Sequence, residues 1–292
     1  QYLPGLYKFT ELMHFYGAAC SVQINHAGAS ASPLRLDGVQ QVSASNLPSK
    51  KNGSIPRPLT KDEIKNIINK YAEGANRAQR AGFDAVEIHA GHSYLISQFL
   101  SPISNDRTDE YGGSIENRAR FAKEVVESVR KAVGPNFPIM LRFSADEFLE
   151  NGNTLDDTLN LLDYFVEEVD ILDVSCALND SLFYQIDVMH LEDGWRSYLS
   201  KAIKEKFPNK ITVVSGNIRS PYVAEKIVTE NESDLIAMGR GLIAEPNWVK
   251  KVETGRIDEI RKCISCNIGC ADHRIRLGRP IRCTVNPDIF HE

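Results

Sequence analysis

Short apolar runs alternate along this chain with longer stretches whose apolar residues recur at helical spacing. Six runs have the length and β-branched content of strands, namely SVQIN (21–25), AVEIH (85–89), IMLRF (139–143), ILDVS (171–175), TVVSG (212–216) and LIAMG (235–239). Runs this apolar are typical of parallel strands that are buried on both faces of a sheet.

Amphipathic stretches between the runs predict helices. They cover residues 61–82, 116–133, 154–169, 195–207 and 220–231, with another helix before the first strand, at LPGLYKFTELMHFYG, and a last one at AEPNWVKKVETGRIDEIRK. Thr60, Thr154 and Ser220 stand where N-caps are expected. Pro221 suits a first helical position, because the N–H that proline lacks is not needed there.

Regular repetition of strand and helix predicts an α/β fold, and the unbroken order favours a (β/α)8 TIM barrel over a doubly wound sheet. Eight strands close such a barrel, and the pattern supplies six. Since an open sheet has two unpaired edges, we expect the first two strands to lie in roughly 50–60 residues upstream of this chain. Residues 1–256 are then an N-terminally incomplete barrel, and residues 257–292 a separate cysteine-rich segment.

Composition excludes several classes of partner. The 292 residues are 42% hydrophobic and 25% charged, which is ordinary for a globular protein. Basic residues number 34 against 39 acidic ones, with no basic run, so we expect no nucleic-acid partner. No apolar stretch approaches the ~20 residues of a membrane helix. No leader is visible either, although the chain begins at Gln1, so a cytoplasmic homo-oligomer is expected.

Polar side chains and glycines follow the predicted strands, at the end of a barrel where chemistry takes place. The candidates are Gln23, Asn25, His26, His89, His92, Tyr94, Arg142, Gly216, Asn217, Gly239 and Arg240. Any one of them is compatible with an ordinary structural role, but several at one rim favour an active site. Glycines after the last two strands, with a basic residue, predict a pocket for a phosphate group.

Four of the six cysteines lie close together in CISCNIGCADHRIRLGRPIRC. They are Cys263, Cys266, Cys270 and Cys283. Disulfides are disfavoured in a cytoplasmic protein, whereas a structural zinc and an iron–sulfur cluster both fit four thiolates at this spacing. The other two, Cys20 and Cys176, are expected to be buried structural thiols on strands.

Longer motifs carry a family resemblance. VEIHAGHSYLISQFLSPISNDRTDEYGGSIENRARF resembles the signature of the old yellow enzyme family of flavin-dependent oxidoreductases, and QINHAG, LRFS, VSGNI and MGRGLIAEPNW follow in that family's order. CISCNIGC followed by CTVNP is similar to the iron–sulfur subgroup of 2,4-dienoyl-CoA reductase, enoate reductases, bile-acid-inducible reductases and trimethylamine dehydrogenase. The resemblance implies FMN in residues 1–256 and a 4Fe-4S cluster on the four cysteines. It also implies FAD and NAD(P)H domains beyond this chain. Within this chain, no GxGxxG follows a strand.

The same resemblance implies residue roles. Gln23 would bind the pyrimidine edge of the flavin, and Arg142 would stabilise the anionic reduced flavin near its N1–C2 carbonyl side. The FMN phosphate would be held by Gly216, Asn217, Gly239 and Arg240. His89 and His92 would donate hydrogen bonds to a substrate carbonyl, and Tyr94 would be the general acid.

The expected reaction is reduction of the C=C bond of a small α,β-unsaturated carbonyl compound, an enone, enoate or enoyl thioester, with electrons entering from FAD and NADH domains. An oxidative amine demethylase is the alternative, although neither Trp195 nor Trp248 is an obvious wall for the aromatic bowl that such an enzyme needs. A non-redox barrel with a structural zinc is a third possibility, but no strand carries the lysine of a Schiff-base aldolase. Ala29 and Ser30 replace the arginine of many relatives, so any contact of that arginine is absent.

Overall fold

The structure, a computed structural model, describes residues 2–49 and 53–291 in two compact units, Gln1–Ser181 and Leu182–Glu292. The strands of the first unit are β1 (Ser21–Ile24), β2 (Val42–Ser43), β3 (Arg57–Pro58), β4 (Ala85–Ala90), β5 (Ile139–Ser144) and β6 (Ile171–Ser175). Its helices are α1 (Leu3–Phe15), α2 (Lys61–Arg80), α3 (Leu95–Leu100), α4 (Ile115–Val133) and α5 (Leu155–Leu162), with 3-10 turns at Gly28–Ser30, Pro33–Arg35, Val166–Glu168 and Asn179–Ser181.

The second unit continues the alternation. Its strands are β7 (Ile211–Ser215) and β8 (Leu235–Ala237), and its helices are α6 (Leu182–Gln185), α7 (Ser197–Lys206), α8 (Pro221–Thr229), α9 (Arg240–Ala244), α10 (Trp248–Glu253) and α11 (His273–Ile275), with a 3-10 turn at Ile257–Glu259 and a π-helical turn at Ile268–Asp272. All six predicted strands are present and their pairs are parallel, so the α/β prediction is confirmed.

Strands β1, β4, β5 and β6 pair in that order in the first unit. The side chains on one face of the sheet are apolar and buried: Val86, Ile88, Leu141, Phe143, Leu172 and Val174. The register places Gln23 beside Glu87, His89 beside Arg142, and Arg142 beside Asp173, all on the opposite face. Burial on both faces is therefore confirmed for β4 and for all but the first residue of β6, although the second face of these strands is lined by polar groups.

The helix starts follow the predicted cap chemistry in two of three cases. Thr60 accepts from the N–H of Glu63 and Thr154 from that of Asp157, and each acid returns the bond as a capping box. Ser220 occupies the N-cap position as predicted, but its side chain makes no capping hydrogen bond. Helix α8 instead begins at Pro221, whose ring fixes the first helical φ.

Two predicted helices are too long. The helix expected over 154–169 ends at Leu162, and a separate 3-10 turn follows. The last helix ends at Glu253 because Gly255, with a φ of +71°, turns the chain out of the helical conformation. Trp195 precedes α7 instead of beginning it. No described helix combines the length and apolar composition that a membrane crossing requires.

Candidate active site

Three side chains predicted to be catalytic converge after β4. The His89 ring centroid lies 5.1 Å from that of His92 and 5.1 Å from that of Tyr94. Gly91 allows this turn to approach β5, since a Cβ there would lie 3.0 Å from the backbone nitrogen of Ser144. His92 and Ser93 then adopt left-handed φ values of +58° and +59°, which non-glycine residues rarely adopt outside constrained sites.

His92 is fixed in this turn by two hydrogen bonds. Its backbone N–H donates to Ser144 Oγ over 3.1 Å, and its Nε2 is 2.8 Å from Ser175 Oγ at the end of β6. Tyr94 is half-buried and occupies the position before the first residue of α3, with its N–H donating to the Gly91 carbonyl over 3.2 Å. The turn therefore presents an imidazole and a phenol from firmly held positions two residues apart.

His89 is buried in its neutral form. Burial, and secondarily the positive charge of Arg142, lower the pKa of His89 to about 4. Its Nδ1 is buried and has no hydrogen-bond partner among the described residues. Because buried polar atoms are nearly always paired, this nitrogen is suited to bind a ligand.

A network of polar side chains lies on the polar face of β1, β4, β5 and β6, opposite their apolar face. We call it the polar layer. Arg142 Nη1 donates to Asp173 Oδ2 over 2.7 Å, and the Gln23 amide donates to the Glu87 carboxyl. Burial, then the neighbouring charge of Asp173, raise the pKa of Glu87 to about 7. Glu87 and Asp173 were not predicted as site residues, although both stand as charged letters within apolar strand runs.

The second unit carries its own polar pocket after β7 and β8. Arg240 donates to Asp187 Oδ2 over 3.0 Å and to Asn267 Oδ1 over 2.6 Å. Asn217, in left-handed conformation, accepts from Ser265 Oγ over 2.6 Å. Arg196, which was not predicted, lies 3.6 Å from Asp187 and against Gly216, where a Cβ would meet its guanidinium.

The charge and shape of this pocket suit a phosphate. Arg196 and Arg240 share the single carboxylate of Asp187, so this group of three keeps one net positive charge. A Cβ on Gly239 would meet no atom within 4 Å, so the backbone there is open to a ligand. Backbone N–H groups and guanidinium groups are the donors that phosphate oxygens accept from.

All four cysteines of the C-terminal segment line one small cavity, together with Gly269 and Thr284. Close packing shapes it, because a Cβ on Gly269 would lie 2.5 Å from the Arg282 carbonyl oxygen. The Ser265 N–H lies 3.4 Å from Cys263 Sγ, and Thr284 Oγ1 lies 3.3 Å from Cys266 Sγ. Within the described residues, no three of these sulfur atoms lie within 4.8 Å of one another.

The remaining cysteines differ from each other. Cys176, directly after β6, is fully buried as predicted. Cys20 is only half-buried and precedes β1 instead of lying on it, so the prediction of a buried strand thiol is wrong. Its backbone N–H donates to Asp84 over 2.7 Å, which anchors the start of the strand.

Comparisons with known proteins are consistent across most of the chain. Residues 1–259 match the model of the NADH:flavin oxidoreductase / NADH oxidase family. A NADH oxidase of Thermoanaerobacter brockii is 46% identical over 288 residues, which are 98% of this chain and 44% of that protein. The chain therefore spans less than half the length of this relative.

Two solved structures resemble the chain almost equally. A 2-naphthoyl-CoA reductase in complex with 2-naphthoyl-CoA superposes with a TM-score of 0.91 and 29% identity, over 99% of this chain and 46% of that one. Histamine dehydrogenase from Rhizobium sp. 4-9 gives 0.88 and 32%, over 99% and 42%. One neighbour is a reductase and the other an amine dehydrogenase, so the reaction has to be argued from the site.

Proposed function

This chain belongs to the NADH:flavin oxidoreductase / NADH oxidase family, and we propose that it binds FMN and reduces the C=C bond of an α,β-unsaturated carbonyl compound. Membership confirms the resemblance to the old yellow enzyme family. The observation that carries the proposal is the cluster of His89, His92 and Tyr94, with ring centroids 5.1 Å apart about a neutral, buried imidazole. FMN, when bound, would supply the hydride that adds to the β-carbon.

The two histidines polarise the substrate. A neutral imidazole carries one N–H donor, and two such donors aimed at a carbonyl oxygen withdraw electron density from the adjacent double bond. They also stabilise the negative charge that the oxygen acquires as the β-carbon is reduced. The unpaired Nδ1 of His89 gives that ring a free position for such a bond.

Tyr94 completes the reduction by giving its phenolic proton to the α-carbon. The phenol O–H of a tyrosine is a hydrogen-bond and proton donor, which suits it to act as a general acid. Tyr94 lies beside the His89 ring and is half-buried, within reach of a substrate whose oxygen is held by the histidines. Solvent then restores the proton.

Each unit offers groups that suit part of FMN. In the first unit, Gln23 provides an amide and Arg142 a guanidinium with one carboxylate partner, which suit the polar pyrimidine edge. In the second unit, the net positive charge of Arg196 and Arg240, and the open backbone at Gly239, suit a phosphate. We assign the pocket at Gly216, Asn217, Gly239 and Arg240 to that phosphate.

We assign a 4Fe-4S cluster to the four cysteines. Tetrahedral zinc, with Zn–S bonds of about 2.3 Å, brings its sulfur ligands to about 3.8 Å from one another. A larger cluster, in which each thiolate binds a different iron, holds them farther apart. The described sulfur positions, with no three within 4.8 Å, do not form a set of zinc size, and the resemblance of CISCNIGC and CTVNP to the iron–sulfur subgroup supports the cluster. Electron entry from NAD(P)H through FAD belongs to the same proposal.

The visible spectrum of protein purified without oxygen tests this function. We expect flavin bands over a broad iron–sulfur shoulder, both bleached by dithionite, and reoxidation of the reduced protein by an enone, an enoate or an enoyl thioester. A colourless protein that contains zinc would overturn the redox proposal. A flavoprotein that no unsaturated carbonyl compound reoxidises would overturn the choice of reaction.

Amine oxidation is the second candidate, and one observation favours it. An aromatic group in the second unit consists of Phe183, Tyr184 and Trp195. The ring centroids of Phe183 and Tyr184 are 4.1 Å apart, and those of Tyr184 and Trp195 are 5.7 Å apart. Aromatic faces bind cationic amines. Adding a primary or tertiary amine to the oxidised protein decides between the two: rapid bleaching of the flavin would favour the amine reaction, and no bleaching the reductase.

A further inference from the structure

The carboxyl groups of Glu87 and Asp173 face each other inside the polar layer of the first unit. Glu87 is 8% exposed and Asp173 is 4% exposed, and the charge of Asp173 adds to burial in raising the pKa of Glu87. They come from β4 and β6, on either side of β5, so they are not on directly paired strands. Two buried carboxylates that lie close enough to shift each other's titration cannot both be ionised without a large electrostatic cost.

The hydrogen-bond pattern shows how this cost is avoided. Asp173 Oδ2 accepts from Arg142, whereas Oδ1 is buried and has no donor from another described side chain. A protonated Glu87 would supply a donor for the unpaired oxygen of Asp173, and Glu87 also accepts from the Gln23 amide. With Glu87 neutral, Asp173 and Arg142 balance, and the layer carries no net charge.

We propose that Glu87 and Asp173 act as a pair that holds one proton and positions Gln23 and Arg142, the two side chains assigned to the pyrimidine edge of FMN. Each carboxyl fixes one of them: Glu87 the amide and Asp173 the guanidinium. The inference rests on the proposed FMN site. It adds that the charge beneath that site depends on whether the pair holds its proton.

A redox consequence follows from this charge. When Glu87 loses its proton, the group of Glu87, Asp173 and Arg142 changes from neutral to one net negative charge, which opposes negative charge on a reduced flavin. The groups that face Glu87 are Gln23 from β1, Arg142 from β5, Asp173 from β6 and His89 on its own strand, and His89 stays neutral over the relevant pH range. The flavin potential should therefore fall more steeply with pH once Glu87 ionises.

Infrared spectroscopy tests the shared proton without FMN. We expect the apoprotein to show the carbonyl band of a buried protonated carboxyl group. Part of this band should be absent in Glu87→Gln, and the same part should disappear in the wild-type protein as the pH is raised. Glu147→Gln is the matched control, because Glu147 is also a buried glutamate of the first unit whose pKa burial raises to about 7, but its partners are Ser101 and Asn153. A band that Glu87→Gln leaves unchanged would overturn the proposal.

The midpoint potential of bound FMN tests the coupling. Between about pH 6 and about pH 9, the wild-type ratio of reduced to oxidised FMN affinity should fall at least tenfold relative to Glu87→Gln, equivalent to about 30 mV for a two-electron couple. Glu147→Gln should follow the wild type. Equal pH slopes in the wild type and Glu87→Gln would refute the coupling even if both bind FMN.

A third variant covers failure of Glu87→Gln to fold. Asp173→Asn removes one negative charge from the group, which changes from one net negative charge to neutral above about pH 7, so the potential there should rise; an unchanged or lowered potential above about pH 7 contradicts the proposal. Failure of the function is distinguishable: a protein that does not bind FMN but shows the Glu87 band loses the proposed function, whereas one that binds FMN without the band loses only this inference.

Discussion

Tyr94 carries a single step of the proposed reaction, proton donation to the α-carbon. We expect Tyr94→Phe to lower the rate of enone reduction by reduced protein about 10²–10⁴-fold, the usual contribution of a positioned general acid. Dithionite reduction of FMN and the flavin spectrum should be unchanged, because the hydride step does not need the phenol. Stopped-flow reoxidation by an enone measures both.

Tyr111→Phe is the matched control, since the Tyr111 hydroxyl donates to Glu124 over 2.9 Å in the same unit, with no part in the proposed reaction. It should cost about 1 kcal/mol of unfolding free energy and leave reoxidation unchanged. Equal loss of rate in the two variants would mean that the phenol of Tyr94 is not the acid.

Glu147 makes stability depend on pH with a defined sign. Burial raises its pKa from the ordinary 4.5 to about 7. The native state therefore holds a proton that the unfolded chain releases, so its stabilising contribution is full below about pH 4.5 and is lost as pH rises to about 7. Glu147→Gln cannot ionise, and relative to the wild type it should gain up to roughly 3 kcal/mol between these limits.

Urea unfolding of both proteins at several pH values measures this difference. Glu87 and His89 also titrate, the first in the same direction and the second in the opposite one, but both are present in wild type and variant and cancel in the comparison. A pH-independent difference would show that Glu147 ionises normally.

At the scale of residues, the sequence revealed side chains that lie in recognisable motifs after strands. His89, His92 and Tyr94 were found in this way, and the structure brings their rings together. Glu87 and Asp173 were missed because a run such as AVEIH looks uniformly apolar until alternate residues are assigned to separate faces. The partner of each carboxyl group depends on the register of the strands, and the amino-acid sequence alone does not specify that register.

At the scale of elements, one device recurs three times. In each case an aspartate stands directly before a strand of the sheet. It accepts the N–H at the start of the neighbouring strand, and it pairs with a basic residue in the last turn of the helix that leads into that neighbouring strand. The sets are Asp84 with Cys20 and His14, Asp170 with Ile139 and Arg130, and Asp234 with Thr212 and Lys204. Each set therefore joins a helix end to two strand starts.

We expect Asp170→Ala to lower the unfolding free energy by about 1–2 kcal/mol, because it removes a charge-assisted bond of 2.7 Å to the Ile139 N–H and the 2.6 Å contact with Arg130. Asp156→Ala, at an exposed position in the first turn of α5, should cost no more than about 0.5 kcal/mol. Denaturant melts of both variants measure the difference. Equal losses would mean that the recurring contact adds nothing to an ordinary surface charge.

This device also shows what was predictable about the elements. The pattern of an acid followed by an apolar run, in FDAVEIH, VDILDVS and SDLIAMG, is visible in the sequence, and the strands begin where it stands. Helix starts were predicted well where a threonine faces an acid three residues later. Helix ends were predicted poorly, because the stops at Leu162 and Glu253 depend on local backbone turns that apolar periodicity does not record.

At the scale of the whole molecule, the proposed function assigns the four cysteines and the FMN site to different stages of electron flow. The four cysteines and Arg240 line one cavity of the second unit, whereas His89, His92 and Tyr94, which would act on the substrate, belong to the first unit. Delivery of electrons and reduction of substrate should therefore be separable by mutation.

We expect Cys270→Ser to lose most of the iron and acid-labile sulfide, because three thiolates remain for a cluster held by four. Reoxidation by an enone after dithionite reduction, measured per bound FMN, should stay within about twofold of the wild type, since the general acid and carbonyl donors are untouched. Cys20→Ser is the control: Cys20 lies before β1 and its backbone N–H, which serine keeps, makes the contact with Asp84. Full iron content in Cys270→Ser would overturn the ligand assignment, and loss of enone reduction with FMN retained would show that the cluster takes part in the reductive step itself.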